Sequence, residues 1–251
     1  MKFGTHIKRI GGKLTGYWFH KLAHLPRGTD LAWDIQRHWG TDAITVALDI
    51  GANAGQFSLP FHDRFPGATI HCFEPVSSTF ARLRRAFNDV ANVHCHPFAM
   101  GASEREGRIF VNPDDTESSL LSGYGNCREE TVRVTTVDKF CLGAGIERID
   151  FIKLDTEGYE IEVLNGASGM LSSRRVRLLL VETELVASNR RFVPLAELDR
   201  VLGGSGYALF GVYQQQHHWD GRTSLSFVNA LYAEASLVAP GAIAPHPRGQ
   251  K

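Results

Sequence analysis

Long apolar runs are missing from this sequence. The strongest, 176–181, is broken by Arg177 and falls far short of the roughly 20 residues a bilayer crossing needs, so no transmembrane segment is expected. Residues 1–27 also lack the continuous apolar core of a secretory signal. Net charge is missing as well: 27 basic side chains stand against 27 acidic ones, which argues against a nucleic-acid partner bound through counterion release. Cysteine is scarce. Cys72, Cys95, Cys127 and Cys141 are spaced neither as a compact zinc knuckle nor as a redox pair, and buried free thiols in a reducing cytoplasm are the expectation. The three-glycine G-x-G-x-x-G turn that cradles a diphosphate is absent too, which disfavours a nicotinamide-dependent oxidoreductase.

What is present is an ordinary globular composition. Of 251 residues 43 % are hydrophobic and 22 % charged, enough for one full core. Lys2, Lys8, Arg9, Lys13, Lys21 and Arg27 precede the first acid, Asp30, and are interspersed with Tyr17, Trp18 and Phe19. Such an arm can touch an anionic membrane surface or a phosphorylated substrate, or pack on the domain or on another subunit. The expected division is an N-terminal basic extension over 1–33, a domain over 34–232 with a flap inserted near 107–137, and a tail over 233–251 rich in Pro, Gly and Ala.

Along the domain, strand and helix patterns alternate. Apolar, β-branched segments at 43–49, 68–73, 92–96, 149–154 and 176–181 predict strands; helices are predicted from Gln56 onward, over 76–87, over 160–171 and over 190–202. Segments 207–213 and 225–231 predict a closing antiparallel pair. The fold class is therefore α/β, a mostly parallel, Rossmann-like mixed sheet with helices on both faces and an antiparallel C-terminal strand. In such a sheet the ligand lies beyond the carboxyl ends of the strands, which singles out Asp49, Glu74, Asp155 and Glu182, each at or just after a strand end.

The turn IGANAG after the first strand, with Gly51 and Gly55, lets the backbone approach a ligand closely. Asp49 before it would repel a diphosphate but suits a cationic or amine-bearing group. Glu74, 23 residues beyond Gly51 and followed by Pro75, stands where a carboxylate accepts both hydroxyls of a ribose. A ribosylated ligand with a positive end satisfies both conditions, and S-adenosylmethionine is such a ligand.

The segments ALDIGANAGQFS, CFEP, NVHCHPFAMG, TTVDKF, FIKLDTEGYEIEVLNGA and VETEL, in this order and spacing, resemble the FkbM-type family of S-adenosylmethionine-dependent O-methyltransferases over about 34–230. KLDTEGYE is the most specific piece. The resemblance implies a class I methyltransferase fold and hydroxyl acceptors on sugars, glycans or polyketides. Residue by residue it implies cofactor contacts for Asp49, Gly51, Asn53, Gly55 and Glu74 with Pro75 beside it, and an adenine side lined by Ala99 and Met100.

The acceptor chemistry is read from the acids. An alcohol is a weak nucleophile until it loses its proton, and a carboxylate or histidine acting as general base supplies roughly 10²–10⁴ in rate. Asp155 is the first choice, with Glu157 and Glu182 close by in strand-end positions. Its other reading is as the cap of a helix beginning near Gly158, whose positive end Glu157 would favour. Asp155 with Glu182 can alternatively hold a divalent cation that acidifies the hydroxyl. His217 and His218, before Trp219 and Asp220, are a further source of a base or a ligand. An N-methyltransferase would carry an aromatic Pro-Pro-Tyr-like clamp where this chain has DTEG, and a non-catalytic nucleoside-binding module would not need the coincident acids.

Overall fold

The computed structural model describes residues 21, 24–112, 118–121, 127–185, 192–217 and 225–238. A seven-stranded sheet forms its centre. In chain order the strands are β1 (Val46–Ile50), β2 (Thr69–Phe73), β3 (Val93–His96), β8 (Ile149–Leu154), β9 (Val176–Glu184), β10 (Tyr207–His217) and β11 (Leu225–Glu234). Their spatial order is β10-β11-β9-β8-β1-β2-β3, with β11 antiparallel to both neighbours and every other pairing parallel. Strand order reverses between β1 and β8, which opens a crevice at their carboxyl ends.

β8 is buried at every position, as expected of a strand covered on both faces. Its side chains alternate: Ile152 and Leu154 join one core, Phe151 the other. Helices α1 (Leu31–Trp39), α2 (Ser58–Arg64) and α3 (Ser77–Ala86) cover the second core; α4 (Val137–Ala144), α5 (Glu160–Asn165), α6 (Ser168–Ser172) and α7 (Leu195–Gly204) cover the first.

Local chemistry sets the helix ends. Asp30 caps α1 by accepting from the Trp33 amide at 2.8 Å, so the first helix lies across the boundary expected at 33/34, and β11 likewise runs past 232. The end of the basic arm packs on the domain: Arg27 lies 4.1 Å over the Phe210 ring, and buried Asp34 accepts from the Gly28 amide and the Tyr213 hydroxyl. Helix α4, which apolar spacing does not announce, begins at a Thr136 cap and ends at Gly145 in the left-handed conformation.

The single helix expected over 160–171 is two. A Cβ at Gly166 would stand 2.0 Å from the Gly101 carbonyl oxygen, so the chain breaks there to pack on a neighbouring turn. Asp138 restarts it by accepting from the Gly169 and Met170 amides at the head of α6. The helix expected from Arg190 begins instead at Leu195, after Pro194, whose fixed φ suits a helix entry.

The expected flap is part of a second sheet. Strands β4 (Ala99–Met100), β5 (Arg105–Val111), β6 (Ser118–Ser119) and β7 (Arg128–Thr135) lie in the order β4-β7-β5-β6. β5 and β7 pair antiparallel within the expected flap, while β4 joins from outside the expected range, parallel to β7. Val76, Ala99, Ile109, Val111, Val132 and Val134 form its own small core. Asp114 and Asp115 lie outside the described residues. Among the described residues no helix is long and apolar enough to cross a membrane.

Candidate active site

Two cavities open at the crevice. The first lies between the ends of β1, β2 and β8 and the second sheet. Gly51, Asn53, Glu74, Pro75, Ala99 and Met100 all line it, with Ile109, Ser118, Leu120 and Tyr159 closing its far wall. The second, the roomier of the two, is walled by the turn after β1 and by the ends of β8, β9, β10 and β11. Among the described residues Gly51, Asn53 and Asp155 line both.

Glu74 is buried, and its two oxygens accept from the Asn53 and Val76 amides at 3.1 and 2.9 Å. Burial nevertheless raises its pKa to about 7, against the pull of those amides. The buried Ser118 hydroxyl faces the same cavity without a hydrogen-bond partner among the described residues. An apolar slot with a ribose-competent carboxylate and a waiting hydroxyl fits a nucleoside. Sequence reasoning did not place Ser118 on the cofactor side, because it comes from the second sheet and no local pattern aims it at this slot.

Asp49 and Gly55 do not line either cavity. The Asp49 carboxylate is buried beneath the turn, accepting from Ser58 Oγ at 2.6 Å, and burial raises its pKa. In the β1–β8 register it stands opposite Lys153, so its negative charge supports that ammonium from below. Gly55 packs its backbone on the Phe87 ring.

The acids meet at the junction of the cavities. One oxygen each of Asp155, Glu157 and Glu182 lies within 4.8 Å of the others. Buried Lys153 donates to Asp155 Oδ2 at 2.6 Å. Burial pushes the Asp155 carboxyl up, but Lys153 outweighs that and holds it below the usual carboxylate range. Glu182, hydrogen-bonded to Asp155, is raised well above its ordinary value by burial and then by the Asp155 charge. The opposite shifts make Asp155 the more acidic member of the pair, with Glu182 the one drawn toward its neutral form. Three clustered carboxylate oxygens can also ligate a hard divalent cation.

Asp155 is not a helix cap. α5 begins at Glu160 with Tyr159 at its N-cap, and the buried Glu160 carboxylate ties the preceding loop instead. It accepts from the Thr156 amide and hydroxyl at 2.8 and 2.9 Å and from the Gly158 amide at 3.3 Å. Glu157 and Gly158 both take positive φ in that loop, and Ser119 Oγ donates to the Glu157 carbonyl. This explains the TEGYE pattern: a glycine that permits the turn and a glutamate that fastens it. His217 ends β10 and does not line the cleft, while His218 lies outside the described residues.

A family model described as the methyltransferase FkbM domain matches residues 49–211, which takes in every strand of the crevice from the end of β1 to the start of β10. The chain belongs to the FkbM methyltransferase domain family. The sheet described above, mostly parallel with its antiparallel C-terminal strand, is the class I methyltransferase arrangement. This FkbM-domain chain is 31 % identical over 148 residues to the 2-O-methyltransferase NoeI of Sinorhizobium fredii, covering 52 % of this chain and 60 % of that one. It is 27 % identical over 195 residues to the 31-O-demethyl-FK506 methyltransferase FkbM of Streptomyces tacrolimicus, covering 65 % and 73 %. Likeness to the hexuronic acid methyltransferase AglP of Haloferax volcanii is 27 % over 137 residues, 55 % of each chain. The chain thus spans 60 % of the length of NoeI and 55 % of that of AglP. Among solved structures, methyltransferase FkbM of Methylobacillus flagellatus aligns with a TM-score of 0.49 at 18 % identity, covering 74 % of this chain and 44 % of that one.

Proposed function

We propose that the FkbM-domain chain transfers a methyl group from S-adenosylmethionine to a hydroxyl of a sugar or glycan unit, with Asp155 accepting the hydroxyl proton. The observation that carries this reading is the meeting of the Glu74 slot and a polar cleft at Asp155, a carboxylate held ionised by Lys153. Two of the relatives are named for transfer to oxygen and one for a hexuronic acid, which supports the acceptor class.

The cofactor supplies an electrophilic methyl group on a sulfonium. Glu74 would accept the ribose hydroxyls, Ser118 would bond the base, and Met100, Ile109 and Leu120 would enclose its faces. At the junction, Asp155 would take the acceptor's hydroxyl proton, while the bound cofactor would supply the methyl group to that oxygen. Glu182 donates to Asp155 and fixes its orientation. A low-pKa base is weak, so the proton moves late, and most of the rate comes from holding the oxygen in line. A second reading places a divalent cation on Asp155, Glu157 and Glu182, favoured by their clustered oxygens. A methyl-transfer screen over sugars, nucleotide sugars and glycan fragments, with and without chelator, tests both. Turnover that survives chelation is expected; its abolition favours the cation, and failure of every hydroxyl acceptor removes the oxygen-transfer reading.

Cofactor affinity is expected to rise with pH. The folded protein keeps a proton on Glu74 up to about 7, whereas the unfolded chain releases it near 4.5, so stability from this group falls as pH climbs between those values. Ribose recognition needs the carboxylate, so binding strengthens over the upper part of the same window. Calorimetry should show roughly tenfold tighter binding at pH 8 than at pH 6, following the ionised fraction. In Glu74→Gln the slope disappears and affinity is low throughout; a slope that persists would assign the titration to another group.

A further inference from the structure

The acceptor cleft carries a feature that proton removal does not use. Strand β10 is irregular where it passes the cleft: its pairing with β11 shifts register between Tyr213 and Gln216, and Gln214 takes a φ of 46°. A non-glycine residue there is strained, and a bulge re-aims the side chains around it. Gln214 and Gln216 both line the cleft. Gln214 Oε1 accepts from Asn229 Nδ2 at 2.9 Å, which fixes the Asn229 amide.

Asn229 is only 6 % exposed, yet it lines the cleft, and its Oδ1 has no hydrogen-bond partner among the described residues. It stands directly opposite Glu182 in the β9–β11 register, on the face of the sheet that carries the proton-holding pair. A buried carbonyl oxygen left unpaired is costly, so a site that keeps one fixed in place favours a donor there. A hydroxyl bound in the cleft can supply that donor. Phe57, Pro60 and Phe227 supply apolar surface within the same walls.

We infer that Gln214 and Asn229 form a recognition subsite for a second hydroxyl of the acceptor, adjacent to the one methylated, so that the substrate class is a ring bearing neighbouring hydroxyls and an apolar C–H face. The inference rests on the oxygen-transfer reading and narrows it. The methylated hydroxyl gives its proton toward Asp155; its neighbour donates to Asn229 Oδ1; the ring's C–H face lies on the aromatic surface, as pyranose rings do. A lone alcohol would leave Asn229 unpaired, and a site built around a hydroxyl rejects an analogue that lacks it.

The test pairs substrate and protein changes. Neutral methyl pyranosides and their single-deoxy analogues are measured for binding by saturation-transfer NMR and calorimetry, and for kcat/KM in methyl transfer, on the cofactor-loaded full chain. In the native protein, loss of the neighbouring hydroxyl should lower both binding and kcat/KM by at least about tenfold. In Asn229→Ala that discrimination should shrink to less than about twofold, since the partner is gone from both sides of the comparison. Gln214→Gly relaxes the strained backbone and removes the amide that anchors Asn229; it should lose the same discrimination while melting at or above the native temperature. Equal discrimination in native protein and variants, or equal binding of the deoxy analogues by native protein, overturns the subsite, as does absence of binding by every pyranoside. Discriminating binding without any methyl transfer leaves the subsite standing and removes the oxygen-transfer reading instead.

Discussion

Asp155→Asn is expected to lower kcat by at least about 10² while leaving cofactor affinity within about twofold of native. The asparagine keeps the shape but cannot take a proton, and it loses the ionic half of its bond to Lys153 at 2.6 Å. Lys153 keeps Asp49 across the β1–β8 register, so the buried ammonium is not stranded. That matters, because breaking a buried pair outright costs about 3–5 kcal/mol and would confuse a chemical loss with an unfolded protein. Single-turnover methyl transfer on the best acceptor, with binding calorimetry and a melting curve on the same preparation, separates the two. Full turnover in Asp155→Asn would move the base elsewhere, and an equal loss of cofactor affinity would make Asp155 a binding residue.

Gly51→Ala should be still more damaging, and to a different property. Gly51 has a φ of 84°, and a Cβ built on it would stand 1.8 Å from the Asp155 carbonyl oxygen. The obstacle is backbone, at the point where the chain leaves β8, and Asp155 N donates to the Ile50 carbonyl beside it. No rotamer relieves the overlap: the ends of β1 and β8 must part. A destabilisation of at least about 3 kcal/mol is expected, with cofactor binding lost in whatever remains folded. Denaturant unfolding with and without cofactor measures both. An alanine variant of native stability that still binds would show that the turn relaxes freely and that the close approach is unimportant.

The parts of the fold that were legible are those whose burial follows chain periodicity. β8 was read at both ends because a strand covered on both faces is apolar throughout. The break at Gly166 was not legible, since its cause is a carbonyl more than sixty positions earlier in the chain rather than a neighbour. Helix α4 was not read from the sequence, because apolar spacing alone does not announce it and its only marks are the caps Thr136 and Gly145. In the site, the strand-end rule brought out Glu74, Asp155 and Glu182. It could not say which face a strand-end residue takes, so Asp49 was expected beside the ligand and lies under the turn. The cleft wall supplied by the last two strands was not assigned. Gln214, Phe227 and Asn229 converge only through antiparallel pairing and a bulge, neither of which leaves a mark on local sequence.

The two cavities share Gly51, Asn53 and Asp155 and meet along the turn after β1 and the end of β8, but each has one wall the other lacks. One wall belongs to the second sheet, inserted between β3 and α4; the other belongs to the last two strands. Such partition makes the two cavities separately adjustable at those walls. Substitutions in β10 and β11 can reshape the second cavity without touching the wall that the second sheet gives the first, and the reverse holds for Ile109, Ser118 and Leu120.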